Sequence, residues 1–143
     1  MDTPNYLSLL DLSGRNFVVL GAGQGIGAQA CHALSQAGAK VICVDNDPDR
    51  AASISSAVNG HSVTADVTRR EDMQRVFDEA RRLAGPVTGI IDIVGEANTQ
   101  RLASFDDDQW ERQYAIVLRH VFLTLQIGAE AMAGTGGGSI TFV

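Results

Sequence analysis

Short apolar runs bounded by glycine alternate along this chain with longer stretches at helical spacing. Residues 17–20 are apolar and stop at Gly21. A short run of this kind describes a strand buried on both faces. From Gly25, Ile26, Ala30, Ala33, Leu34 and Ala37 recur at helical spacing, and Gly38 is a suitable stop. Residues 41–44 form a second buried run. Asp47 and Pro48 then supply an N-cap and a first-turn proline for a short helix carrying Ala51, Ala52 and Ile54. A third strand is expected over 62–65. Helix 70–84 follows, with Met73, Val76, Phe77 and Ala80 as its apolar stripe. Glu71/Arg75 and Asp78/Arg82 are expected i,i+4 pairs on its wet side. Gly85-Pro86 ends it.

A fourth strand is expected over 89–94. Asp106, Asp107 and Asp108 then open a long helical pattern to about residue 132, where acidic side chains suit the helix dipole. Its apolar residues Ile116, Leu118, Val121, Phe122, Leu125 and Ile127 wrap widely around the axis. Residues 134–138 read as a glycine-rich connection and 139–143 as the start of a fifth strand. Buried strands alternating with helices imply an α/β fold: a doubly wound, Rossmann-like parallel sheet in three α/β/α layers.

Composition narrows the function classes. The 143 residues are 45% hydrophobic and 20% charged, which is globular rather than disordered. A formal charge of −6 disfavours the counterion-release binding that nucleic acid needs. Cys31 and Cys43 match no zinc pattern and are expected as buried thiols in a reducing compartment. His32, His61 and His120 have no partners at metal-ligand spacing, so no metal site is expected. Residues 1–14 show no signal-peptide pattern, and no apolar run reaches membrane-span length. The expected setting is cytoplasmic, with no membrane partner.

The chemistry-bearing signal lies between the first strand and the first helix. Gly21-Ala22-Gly23-Gln24-Gly25-Ile26-Gly27 sits where backbone N–H groups at a helix N-terminus can face an anion. Gly21 permits the sharp turn, Gly25 leaves room for a pyrophosphate, and Gly27 lets helix and strand approach. The spacing is Gly-x-x-x-Gly-x-Gly. Ile26 stands where Gly-x-Gly-x-x-Gly needs its last glycine, and no lysine follows as in a P-loop. Asp45 closes the second strand about 20 residues on, where a carboxylate can accept from the ribose hydroxyls of NAD. It would repel the 2′-phosphate of NADP. No Arg or Lys stands at Ala22, Gly23, Gln24 or Asn46 to offset that repulsion. NAD is therefore expected over NADP.

These residues resemble the short-chain dehydrogenase/reductase family, in the glycine spacing, in Asp45, in the Asp66-Val67 pair and in the long helix led by Trp110. The resemblance implies an oxidoreductase moving hydride between a nicotinamide cofactor and an alcohol or ketone. It implies a cofactor site of Gly21, Gly23, Gln24, Gly25, Ile26, Gly27, Asp45, Asn46, Asp66, Val67, Val94 and Gly95. Within that set, Asp66 would bond the adenine amino group and Val67 would pack on the ring. It also implies a homo-oligomer, dimer or tetramer, joined through the long helix.

Three departures accompany the resemblance. The family's strand-end Asn-Asn-Ala-Gly is here Asp92-Ile93-Val94-Gly95, and Asp92 is expected to bond neighbouring backbone. The family's helix asparagine aligns with Val117, which cannot hydrogen-bond, and nearby His120 is expected as a surface or packing residue. The family's Tyr-x-x-x-Lys has no counterpart, because Leu10 and Leu118 follow Tyr6 and Tyr114 by four, and Lys40 is the one lysine. Residues 1–143 are thus expected to be the cofactor-binding part of one Rossmann domain, inactive alone, with catalytic residues on further sequence. The alternative is a non-catalytic dinucleotide-binding or interaction module that ends near residue 143.

Overall fold

The computed structural model describes residues 5–143. The reading of the extreme N-terminus falls partly on residues 1–4, outside the described residues. Five strands form one parallel sheet: β1 Asn16–Leu20, β2 Lys40–Asp45, β3 His61–Thr64, β4 Gly89–Asp92 and β5 Ser139–Phe142. Their spatial order is β3-β2-β1-β4-β5, and every neighbouring pair is parallel. The order reverses between β1 and β4. In open α/β sheets, the crevice at the strand carboxyl ends beside such a reversal is where ligands bind.

Alternation along the strands builds two cores. Phe17, Val19, Val41 and Cys43 face α1 (Gly25–Gln36) and α2 (Pro48–Ala57), meeting Cys31, Leu34 and Ile54. Val18, Leu20, Ile42, Val44 and Ile90 face α3 (Arg70–Ala84) and the long helix Asp107–Ala133. They meet Met73, Val76, Phe77 and Ala80 of α3 and Leu123 and Met132 of the long helix. These are the expected three layers. Cys31 and Cys43 are both free and buried, with their sulfurs 3.8 Å apart.

Several boundaries shift. β3 begins and ends one residue earlier than expected. β4 stops at Asp92 rather than residue 94, because the Asp92 carboxylate accepts the Val94 N–H (3.2 Å) and turns the chain out of the sheet. On α3, Arg75 pairs with Asp72 (3.1 Å) and Glu79 (3.4 Å) rather than Glu71. Ile26 leaves the expected apolar stripe and is 61% exposed.

The long helix starts at an Asp106 N-cap with a reciprocal Gln109 bond, a capping box. Two wide turns interrupt it, at Ala115–Arg119 and Thr124–Gly128. In the first, the His120 N–H reaches the Ala115 carbonyl, an i→i+5 bond. Of its buried residues, His120, Thr124, Gly128 and Met132 are spaced by four, with Leu123 beside them. On a regular α-helix each such step drifts by about 40°; the wide turns absorb part of that drift. The stripe therefore stays on β4, with Gly128 seated against Ile90 and Phe77. By length and composition alone this 27-residue helix could cross a membrane, a possibility not evident from the apolar runs. Here its striped face lies on the sheet. Leu118, Phe122 and Leu125 stand about half exposed with Trp110 and Tyr114, on the face turned away from the sheet.

Candidate functional site: a cleft at the strand carboxyl ends

The glycine loop positions the site. Gly21 (φ +78°) and Gly25 (φ +56°) take left-handed backbone that side chains disfavour. Gly27 packs on the Gly21 carbonyl oxygen so closely that a Cβ would overlap it. This contact seats the N-terminus of α1 over the end of β1. The N-cap residue Gln24 makes no side-chain cap bond. The first-turn N–H groups of α1 therefore point outward without an intrahelical acceptor, at the positive end of the helix dipole.

A cleft of about 460 Å³ opens in front of them. Gly21, Gln24, Gly25 and Ile26 form one wall, Asp45, Asn46, Asp66 and Val67 a second, and Val94 and Gly95 a third. Ten of the twelve residues picked out from sequence thus meet in one place. The other two do not line it. Gly27 makes the helix contact, and the Gly23 N–H donates to Asp45 Oδ2 (2.9 Å). Val117 lies outside the cleft lining, about half exposed.

Asp45 is buried and already engaged. Its Oδ1 accepts the Asp47 N–H (3.0 Å) and lies 3.1 Å from Arg50 Nη2. Arg50 also donates to Asn46 Oδ1 (3.1 Å) and lines the cleft. The expectation that no basic residue attends Asp45 is thereby corrected. The first turn of α2 folds back over the end of β2, so the fifth residue after Asp45 returns to it. A carboxylate oxygen has two acceptor directions. Oδ2, with one donor, keeps one for a ligand hydroxyl.

The Asp66 turn is held separately. Its Oδ1 accepts from the Thr68 N–H (3.0 Å) and hydroxyl (2.6 Å), and its own N–H donates to Asp72 Oδ2 (2.9 Å). That N–H, with the Arg75 guanidinium, holds the Asp72 carboxyl below its usual range. Val67 is buried at the cleft wall.

Sequence reasoning missed Arg50, Ala65, Ile93, Glu96 and Ile116 as lining residues. Glu96 is tied to the long helix by Arg112 (2.9 Å) and by Gln113, which donates to its carbonyl (2.5 Å). Beneath the cleft, Asp92 bonds Val94 backbone as expected. Its carboxylate also takes His120 Nε2 (3.2 Å) and the Thr124 hydroxyl (2.8 Å). His120 is buried. Among the described residues, no three His, Cys, Asp or Glu side chains converge as a metal site.

The family model for short chain dehydrogenases matches residues 15–143. The chain belongs to the short-chain dehydrogenase family. The chain is 32% identical to galactitol 2-dehydrogenase (L-tagatose-forming) of Cereibacter sphaeroides, over 95% of this chain and 54% of that one. It is 27% identical to an NAD-dependent glycerol dehydrogenase of Listeria innocua, over 86% and 49%. Its fold matches a 7α-hydroxysteroid dehydrogenase solved with NADH and 7-oxo glycochenodeoxycholic acid. There the TM-score is 0.92 at 23% identity, covering 99% of this chain and 56% of the other. The chain spans about half the length of the curated relatives it matches.

Proposed function

We propose that the cleft binds NAD in preference to NADP. In this reading the chain is the cofactor-binding part of an oxidoreductase that moves hydride between a nicotinamide and a small alcohol or ketone. The observation that carries it is the uncapped N-terminus of α1 facing a cleft whose far wall ends in Asp45. The residues suit a dinucleotide: outward N–H groups for the pyrophosphate, one open acceptor direction on Asp45 for a ribose hydroxyl, and buried Val67 as an apolar wall for the base. When bound, the group would supply the hydride acceptor or donor. The Listeria relative's printed NAD dependence supports the same choice. An acidic chain can hold an anionic ligand this way because backbone dipoles, rather than lysines, face it.

Arg50 tempers the discrimination without abolishing it. Its Nη2 pairs with Asp45 and donates to Asn46, and its Nε lies 3.5 Å from Asp47 without a hydrogen bond. A 2′-phosphate would still face the buried Asp45 carboxylate. The two buried free thiols suit a reducing, cytoplasmic setting. The exposed apolar side of the long helix suits a homo-oligomer, dimer or tetramer.

The test is fluorescence titration with NADH and NADPH. NADH should bind at least about tenfold tighter, a difference of about 1.4 kcal/mol. Asp45→Ala should weaken NADH and bring the two affinities together. Equal affinities in the unsubstituted chain would contradict the assignment.

A further inference from the structure

We infer that His120 and Thr124 are positioning residues for the cleft, acting through the buried carboxylate of Asp92. The inference rests on the dinucleotide reading for its ligand, but its geometry is independent of it. Asp92 is 1% exposed. A carboxylate so placed persists only if donors surround it, because burial without partners costs several kcal/mol. It has three. The Val94 N–H and His120 Nε2 share Oδ1, each at 3.2 Å, and the Thr124 hydroxyl takes Oδ2 at 2.8 Å.

Two of these donors belong to the long helix and one to the cleft wall. The carboxylate is therefore a junction: where His120 and Thr124 sit decides where the Val94 N–H sits. Val94 and Gly95 then present the third wall of the cleft. His120 Nδ1 is buried without a partner. The one ring nitrogen with a polar neighbour is therefore Nε2, and that neighbour is the junction carboxylate at 3.2 Å.

The test uses paired substitutions in the full chain. Thr124→Val keeps shape and removes the hydroxyl, and Thr124→Ser restores it. His120→Leu removes the donor, and His120→Gln places an amide N–H near Nε2. Two readouts are taken under conditions where circular dichroism shows each variant folded. The first is NADH affinity. Val and Leu should weaken it by about tenfold, the scale of one bond to a charged group, and Ser and Gln should return it to within about twofold. The second is hydrogen exchange at the Val94 amide, which needs no cofactor. It should accelerate in the Val and Leu variants and recover in Ser and Gln.

Folded Val and Leu variants with unchanged Val94 exchange would overturn the inference, as would Ser and Gln variants that fail to recover. Should the unsubstituted chain not bind NADH, the dinucleotide reading falls, and the exchange data still decide the junction. Should Val and Leu not fold, Ser and Gln carry the comparison: exchange as slow as in the unsubstituted chain supports the junction, and faster exchange sinks it.

Discussion

Substituting Gly27 with alanine probes how the phosphate-facing turn is built. A Cβ there would overlap the Gly21 carbonyl oxygen and lie 2.9 Å from the Gly21 carbonyl carbon and 3.1 Å from Ala22 Cα. All three atoms are backbone, so no rotamer change relieves the clash. Relief requires α1 to lift from β1, which loosens Cys31 and Leu34 in the core they share with Phe17 and Val19. Overpacking of this kind costs about 1–3 kcal/mol. At roughly 3 °C per kcal/mol for a chain of this size, the melting midpoint should fall by about 3–9 °C. Gly25 provides the contrast. A Cβ there meets nothing within 4 Å, and the cost arises from the left-handed φ of +56° alone, about 1–2 kcal/mol. Asparagine tolerates that conformation, so Gly25→Asn should be milder than Gly25→Ala. Gly27→Ser, which keeps the offending Cβ, should recover nothing over Gly27→Ala. Scanning fluorimetry and urea denaturation of the four variants measure this. An unchanged midpoint in Gly27→Ala, or recovery with serine, would refute the close-contact reasoning.

Two further outcomes are expected. The folded carboxyl of Asp72 titrates below its ordinary value, so its contribution is present above about pH 4 and is lost as pH falls through the lowered folded value. Asp72→Asn should therefore destabilise the chain at neutral pH and flatten the acid limb of the stability–pH curve; an acid limb identical to that of the unsubstituted chain would contradict the Asp66 turn assignment. Leu118→Glu with Phe122→Glu, both on the exposed side of the long helix, should shift sedimentation toward monomer and lower the melting midpoint by removing the stabilisation that association adds. Sedimentation indistinguishable from the unsubstituted chain would remove the oligomer proposal.

Legibility in the sequence followed how local each constraint is. The β1–Gly loop–α1 unit was readable because its glycines answer to neighbouring backbone, either a left-handed φ or a contact within six residues. The parallel sheet was readable because strands buried on both faces carry unbroken apolar runs. The boundary of β4 was not, since a carboxylate two residues before Val94 captures its N–H, and an aspartate in an apolar run does not announce its partner. Arg50 was missed because it reaches Asp45 only after a strand has turned into a helix. The Asp92–His120 pair joins residues 28 apart on different elements. A histidine on a helix has too many ordinary roles for that contact to be inferred. The wide turns were hidden because a four-residue stripe reads, in one dimension, as an ordinary helix.

Those wide turns give the long helix an unequal tolerance to change in length. Each holds one residue more than a regular turn requires. Deleting a residue between 124 and 128 would leave the backbone free to close as ordinary α-helix, with its hydrogen bonds intact. Thr124 and Gly128 would nonetheless stand only three residues apart, about 60° short of a full turn. Gly128 would leave Ile90, and Met132 would leave the contact with Gly138 that borders β5. The surplus residue acts as a gauge, matching the pitch of a helix to the spacing of the strand beneath it. Single-residue indels here should therefore be far less tolerated than substitutions on the outer face of the same turns.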